Sequence, residues 1–449
     1  MGKPIKVRRG LNIPLKGEAE KQFIDVSPGK LYALKPTDFH GIRPKVVAKP
    51  GTEVKVGTTI YYDKFQPEVQ FCSPVSGVVK ELVRGEKRKL LEIIIESDDK
   101  QTQETHEIHD YQTAESVDLI KSLLQTGFWP MITQRPYGVI ADPNTKPDFV
   151  FVSTYDTAPL APDYAFILED MQEELKAGME VLHKISGKEI HLGLSAKADN
   201  TLFDNLPHTI SHTFEGPHPA GNVGTQINVV RPINKGEIYW TVNIQNIAMI
   251  GRLFLKKSID FSRKVSFVGS ELNQTGYLKV LPGQSVKEII DGKLTQDNVR
   301  VVSGNPLTGK GVEKEGYLSY QENQITVLPE GDYYEFFGWL MPGFKKFSLS
   351  RTYFSWLMPG KKYRLDTNYH GGERAYVVTG EYEKVCPLDI YPQQLIKACM
   401  TEDIDKMEQL GIYEVIEEDM ALCEFVCTSK TEVQSILRNS LDMLRKEMS

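Results

Sequence analysis

Three sets of residues in this chain have types and spacings that could do chemistry. The first is the loop E-G-P-H-P-A-G-N-V-G-T at 215–225, where Gly216, Gly221 and Gly224 would let backbone N–H groups approach a phosphate. A dinucleotide site makes that approach through a G-x-G-x-x-G turn directly after a strand, and this spacing does not match it. Pro217 and Pro219 stiffen the loop and remove two N–H donors. The turn after the apolar run F-V-F-V (149–152), S-T-Y-D-T-A-P-L-A-P-D, has no glycine and two prolines. The 215–225 loop therefore reads as a rigid interface loop, with Gly216, His218, Gly221 and Gly224 as its candidate residues. The second set is His208, His212 and His218, but no nearby carboxylate or cysteine completes a metal ligand set. The third is Cys386, Cys399, Cys423 and Cys427. An iron–sulfur site wants C-x-x-C-x-x-C spacing, whereas here Cys423 and Cys427 share a helix face and the other two are single and distant, so buried thiols are expected. No catalytic residue and no metal ligand is nominated.

The elements that must position these residues are α/β. The run F-V-F-V reads as a buried strand, 165–185 as one amphipathic helix (Leu168, Met171, Leu175, Met179 and Leu182 on one face), and E-I-H-L-G-L (189–194) as the next strand. Strand, helix, strand is a βαβ unit, so a Rossmann-like layer is expected, extended by E-I-Y-W-T-V-N-I (237–244) and the helical I-A-M-I-G-R-L-F-L. A helix over 114–126, closed by Gly127, precedes it. At 449 residues the chain is long enough for about three domains. A net charge of −7 argues against a nucleic-acid partner. No apolar run reaches the ~18 residues of a membrane span, and M-G-K-P-I-K-V-R-R-G has no apolar core for a signal peptide. Five cysteines, an odd number, fit a reducing compartment without a disulfide framework.

Ahead of the α/β layer, 49–79 reads K-P-G-T-E-V-K-V-G-T-T-I-Y-Y-D-K-F-Q-P-E-V-Q-F-C-S-P-V-S-G-V-V: short apolar pairs broken by Gly51, Gly57, Gly77 and three prolines, hence short strands and tight turns. This resembles the barrel-sandwich hybrid of biotinyl and lipoyl carrier domains. A lipoyl carrier presents Asp-Lys at a hairpin tip, and Asp63-Lys64 has that order. Bulky Phe65, Pro67 and the long run to Pro74 do not suit an acylating enzyme, so the scaffold is expected without its swinging arm. Residues 1–28 form a basic arm (Lys3, Lys6, Arg8, Arg9, Lys16), expected to be solvated or, alternatively, to clasp an acidic surface. Downstream, Y-L-K-V-L-P-G-Q-S-V-K-E-I-I-D with Ser285 and Glu288 as a capping box, then V-R-V-V-S-G-N-P-L-T-G, suggest a small β-grasp module. W-L-M-P-G occurs twice, at 339–343 and 356–360, among dense aromatics. Paired strand-and-turn units are expected there, their rings forming a core or facing a partner. The chain ends in amphipathic helices.

The organisation is thus multidomain α+β and α/β: arm 1–28, lipoyl-like barrel-sandwich hybrid 29–110, Rossmann-like domain 111–256, β-grasp (SLBB-like) module 257–330, aromatic segment 331–385 and helical bundle 386–449. With I-K-V-R-R-G-L-N-I-P, D-T-A-P-L-A (156–161), G-P-H-P-A-G-x-x-G-T (216–225), G-W-L-M-P-G-x-x-K-F-S (338–348), Y-E-K-V-x-P-L-D (382–389) and A-L-C-E-F-V-C, this order resembles the alpha-subunit family of the sodium-translocating NADH:quinone oxidoreductases, nearly end to end. That family is related to the flavin subunit of complex I. A stand-alone flavin or NADH dehydrogenase is the alternative reading, and it lacks its phosphate-cradling glycines. The resemblance implies a peripheral subunit on the cytoplasmic face of a bacterial inner membrane, docked on an integral subunit. It places no cofactor on this chain; flavins and a 2Fe–2S centre belong to partner subunits, and quinone is the substrate. It also implies quinone contact at L-K-P-T-D-F-H-G-I-R-P (34–44) and Q-R-P-Y (134–137), with Arg43 and Arg135 toward the carbonyls and Phe39 and Tyr137 toward the ring.

Overall fold

The computed structural model describes residues 3–338 and 340–448; Trp339, which opens the first W-L-M-P-G copy, lies outside the described residues. Four sheets carry the fold. Two belong to the barrel-sandwich module: a four-stranded sheet in the order Leu31–Leu34, Leu90–Ser97, Gly77–Arg84, Glu53–Val54, and a three-stranded one of Pro44–Val46, Thr59–Asp63 and Gln70–Cys72. Their inward side chains (Ile60, Tyr61, Phe71, Val79, Ile93, Ile95) are fully buried between the sheets. Lys64 is exposed just past its strand, and its N–H donates to the Arg43 carbonyl at 2.8 Å.

The α/β layer is built on a seven-stranded sheet: Ile5–Lys6, Thr209–Glu215, Ile190–Ser195, Phe149–Ser153, Tyr239–Val242, Ile132–Arg135, Val139–Ile140. The first five strands run parallel and the last two add antiparallel pairs. Helix Ser116–Thr126 ends at Gly127, left-handed at φ 76°, where a glycine cap was expected. Helix Ile244–Lys256 is apolar nearly all round because it is buried nearly all round, against Gln172–Ser186. The single helix expected over 165–185 is instead two, Tyr164–Ile167 and Gln172–Ser186. Periodicity did not show the break: Lys264, from the next module, donates to the Ile167 carbonyl at 2.7 Å and satisfies a group that a continuous helix would have used itself.

The third module is a five-stranded sheet, Gly276–Val280, Arg263–Val268, Gln324–Pro329, Val299–Ser303, Lys310–Val312, with helix Val286–Ile290 on it. Ser285 is the N-cap of that helix but makes no side-chain capping bond, so the expected box does not form. Glu288 instead accepts from the Lys30 N–H at 3.1 Å, recruited by the neighbouring module.

Two further expectations change. The arm is laid down on the molecule: Ile5–Lys6 joins the parallel sheet, Leu15 bridges Tyr363, and Phe23 stacks on Phe166 at 5.5 Å, while Arg8 and Arg9 stay exposed. The aromatic segment forms no strands among its described residues; its regular elements there are the short 3-10 turn Phe354–Leu357 and, at its end, the single helical turn Tyr382–Val385, and its rings are mostly outside. The C-terminal helices Pro392–Met400, Ile404–Gln409, Glu417–Val426 and Val433–Glu447 close their own apolar core, which holds Cys386, Cys399, Cys423 and Cys427. Cys427 is the C-cap of the helix that carries Cys423, and its thiol accepts from the Tyr382 hydroxyl at 3.1 Å.

Candidate functional site

A cavity of about 300 Å³ opens on the sheet face covered by helix Val223–Val230, at the carboxyl ends of Phe149–Ser153 and Tyr239–Val242. In open parallel sheets this is where ligands sit, because loops diverge there and helix N-termini point inward. Thr133 and Thr241 meet across its floor at 2.8 Å. Asp156 holds the turn after its strand, its carboxylate accepting from the Ala158 N–H at 2.8 Å; burial pushes its pKa up, against that hydrogen bond. Thr157 touches His218 Nδ1 at 3.1 Å and accepts from the Gly221 N–H at 3.0 Å. Burial pulls the His218 pKa down to about 4, so the ring is neutral near pH 7.

The wall toward the C-terminal helices is ionic. Arg135, only 1% exposed, donates from Nη1 to Asp419 Oδ2 and from Nη2 to Glu418 Oε1, each at 2.6 Å. Asp419 also accepts from the Ile416 N–H at 3.0 Å, which fixes it at the start of its own helix. Its other oxygen, Oδ1, would stand 2.1 Å from a Cβ on Gly224, so only glycine fits at that point of the helix beginning at Val223. A helix N-terminus of this kind is the seat that a phosphate takes in nucleotide-binding α/β layers. Here the Asp419 carboxylate stands beside Gly224, with Oδ1 unbonded and Oδ2 held by Arg135 and the Ile416 N–H, and it places a negative charge next to that helix start. The residues present therefore do not fit a nucleotide phosphate there.

The expected interface loop turns out to be internal. Gly216 lies against the Val7 carbonyl, His218 is buried, Gly221 lies against the Asp156–Thr157 backbone and Gly224 against Asp419. Its glycines allow close approach, but to other parts of the protein. The three histidines separate: His208 pairs with Glu180 at 3.1 Å, His212 with His191 at 2.9 Å, and His218 with Thr157. Among the described residues no group of three or more His, Cys, Asp or Glu is gathered for a metal.

The two Arg-Pro turns lie on one side of the molecule, tied together by the last two helices. Arg438 donates to the Tyr137 carbonyl at 2.7 Å and pairs with Glu417, which lies 3.5 Å from His40; Arg445 donates to the Gly41 carbonyl at 3.3 Å. The four side chains named for quinone contact divide. Arg43 is exposed and Tyr137 half-buried, edge-on to Tyr413. Phe39 is packed between Phe71 and Tyr320, at 4.8 and 5.3 Å, and Arg135 is committed to its two acids. Glu418 and Asp419 were not singled out in the sequence. E-E-D at the start of a helix is what any helix favours, so composition gave no signal of a long-range partner.

A barrel-sandwich hybrid, a parallel α/β layer, a β-grasp sheet and a helical cap whose acid stands beside the helix start at Gly224 define a class: a multidomain scaffold closed by its own chain. Family models match three stretches that together exceed half the chain: the NqrA N-terminal barrel-sandwich hybrid domain at 5–98, the NqrA second alpha/beta domain at 114–259, and the NQRA C-terminal domain at 264–314. The alpha subunit (NqrA) of the Na(+)-translocating NADH-quinone reductase of Neisseria meningitidis serogroup B is 35% identical over 99% of this chain and 100% of its own length. That of Rhodopirellula baltica is 34% identical over 98% of each. The chain belongs to the NqrA family, the alpha subunits of the Na(+)-translocating NADH-quinone reductases. Among solved structures, an NAD+-reducing [NiFe]-hydrogenase in its air-oxidized state aligns at 13% identity with a TM-score of 0.35, covering 49% of this chain and 47% of that one, too low to carry an argument.

Proposed function

We propose that this chain serves as the alpha subunit of a sodium-translocating NADH:quinone reductase, peripheral on the cytoplasmic face of a bacterial inner membrane. The end-to-end likeness to NqrA relatives carries this reading. In it, flavins and a 2Fe–2S centre sit in partner subunits, and an integral subunit holds this chain at the membrane. No helix among the described residues is long and apolar enough to cross a membrane, so the attachment runs through a partner or a surface. Quinone contact, if it reaches this chain, belongs to the turns at Arg43 and Tyr137, whose side chains have surface left to give, with Phe39 and Arg135 behind them in supporting roles.

The test is purification of the complex through a tag on this chain. Na⁺-stimulated NADH:quinone reductase activity should co-purify, and the isolated chain should be colourless. A stoichiometric flavin spectrum on the isolated chain would overturn the reading in favour of a stand-alone flavin dehydrogenase. In the assembled complex, Arg43→Ala should weaken quinone about tenfold or more, the size of one charge-assisted hydrogen bond. An unchanged Michaelis constant and inhibitor sensitivity would leave the Arg43 turn without a quinone role.

A further inference from the structure

The aromatic segment is rooted at its base and bare at its tip. Tyr363 is buried and exchanges backbone hydrogen bonds with the arm, its N–H to Pro14 O at 2.7 Å and its carbonyl from Lys16 N–H at 2.9 Å. Arg364 grips the buried Glu271 with two bonds, at 2.7 and 3.0 Å. Beyond this anchorage the stretches around Pro342 and Phe354 meet: the Phe354 N–H donates to Pro342 O at 2.9 Å, and the Phe344 and Phe354 rings meet at 5.9 Å. Among the described residues, eleven exposed large apolar side chains fall between Tyr333 and Met358, including Phe336 (87% exposed), Leu340 (68%), Met341, Phe344, Trp356 and Leu357. A chain in isolation gains nothing from holding such a patch in water, and patches of this kind mark binding surfaces. The charge is one-sided as well: 336–362 holds Lys345, Lys346, Arg351, Lys361 and Lys362 and no acid, in a chain of net charge −7.

We infer that this lobe is the docking surface for a neighbouring subunit of the complex, which covers it with an apolar segment flanked by acidic residues. The inference rests on the subunit reading above and supplies the surface that it requires. Aromatic, Met and Arg side chains are the types enriched in interface cores, and a lobe that sets Lys345, Lys346, Arg351, Lys361 and Lys362 against Glu335 alone selects an acidic partner by complementarity. The Arg351 guanidinium stands over the Trp356 ring at 5.9 Å, putting charge and apolar anchor at one spot.

The test uses the full chain, tagged, co-expressed with its partner subunits. Trp356→Ser with Leu357→Ser should cut capture of the partners about tenfold or more, as loss of interface anchors does. Lys345→Glu with Arg351→Glu should weaken capture comparably, and capture by the wild-type chain should fall with added salt. These side chains are exposed, so unchanged circular dichroism and melting temperature of the isolated variants separate docking from folding. Variants that assemble like wild type overturn the lobe inference alone. Capture that is intact in both variants, while binding of the isolated chain to phosphatidylglycerol vesicles is lost, assigns the lobe to the bilayer and overturns it too. A wild-type chain that captures no partner overturns the subunit reading and the lobe with it.

Discussion

Arg135 shows how a residue type can be right for a ligand and still be spent elsewhere. Its guanidinium is fully buried and bonded to two carboxylates. Removing it strands Asp419, whose side chain is wholly inaccessible, as an unpaired buried charge. Arg135→Ala should therefore destabilise the protein by about 3–5 kcal/mol, read as a lower urea midpoint, before any effect on quinone can be measured. His218 gives a second expectation at this scale. Its folded pKa of about 4 lies below the ordinary 6.5, so on acidification the unfolded chain binds this proton first. The contribution is complete above about pH 6.5 and is lost as pH falls toward 4, by about 1.4 kcal/mol per pH unit. His218→Asn should flatten that part of the stability profile between pH 7 and 4; an unaltered slope would show that His218 is not held neutral.

At the scale of elements, sequence signals held where partners are local and shifted where a neighbouring module competes. Gly127 ends its helix through its own backbone, as the spacing indicated. Ser285 and Glu288 have the letters of a capping box, but Lys30 takes the glutamate. Ser285→Ala should thus change stability by no more than about 0.5 kcal/mol, not the ~1 kcal/mol of a working cap. Melting of this variant beside Glu288→Ala checks it: a full cap penalty at Ser285 would mean that the box forms after all. The split at Ile167 has the same origin, a lysine from another module.

Over the whole molecule, the arm and the C-terminal helices join modules that a linear reading keeps apart. The arm supplies a sheet strand, and around His218 it gives the Leu11 N–H to the carbonyl and takes the His218 N–H on Asn12, both at 2.8 Å. Deleting residues 1–12 should speed amide exchange in 214–221 and leave the barrel-sandwich strands protected. Equal protection in both would mean that the arm adds no order to the loop. The barrel-sandwich and α/β modules share one apolar core, with Phe39 and Phe71 in the same cluster as Trp129 and Trp240.

By itself the sequence determined the module order, the strand and helix types outside the aromatic segment, the missing glycine-rich turn and the family. Those depend on local periodicity, on turn chemistry and on motifs a few residues long, all of which are contiguous in the chain. Only the tertiary structure decided what the site residues do. The glycines of 215–225 face inward because Val7, Thr157 and Asp419 arrive there from residues far away in sequence. Arg135 is neutralised by acids 283 and 284 positions later. Most described aromatics of 333–358 lie outside, because among the described residues no strand or long helix of that segment packs over them. Pairing across such separations is fixed by packing and desolvation, which no local pattern encodes.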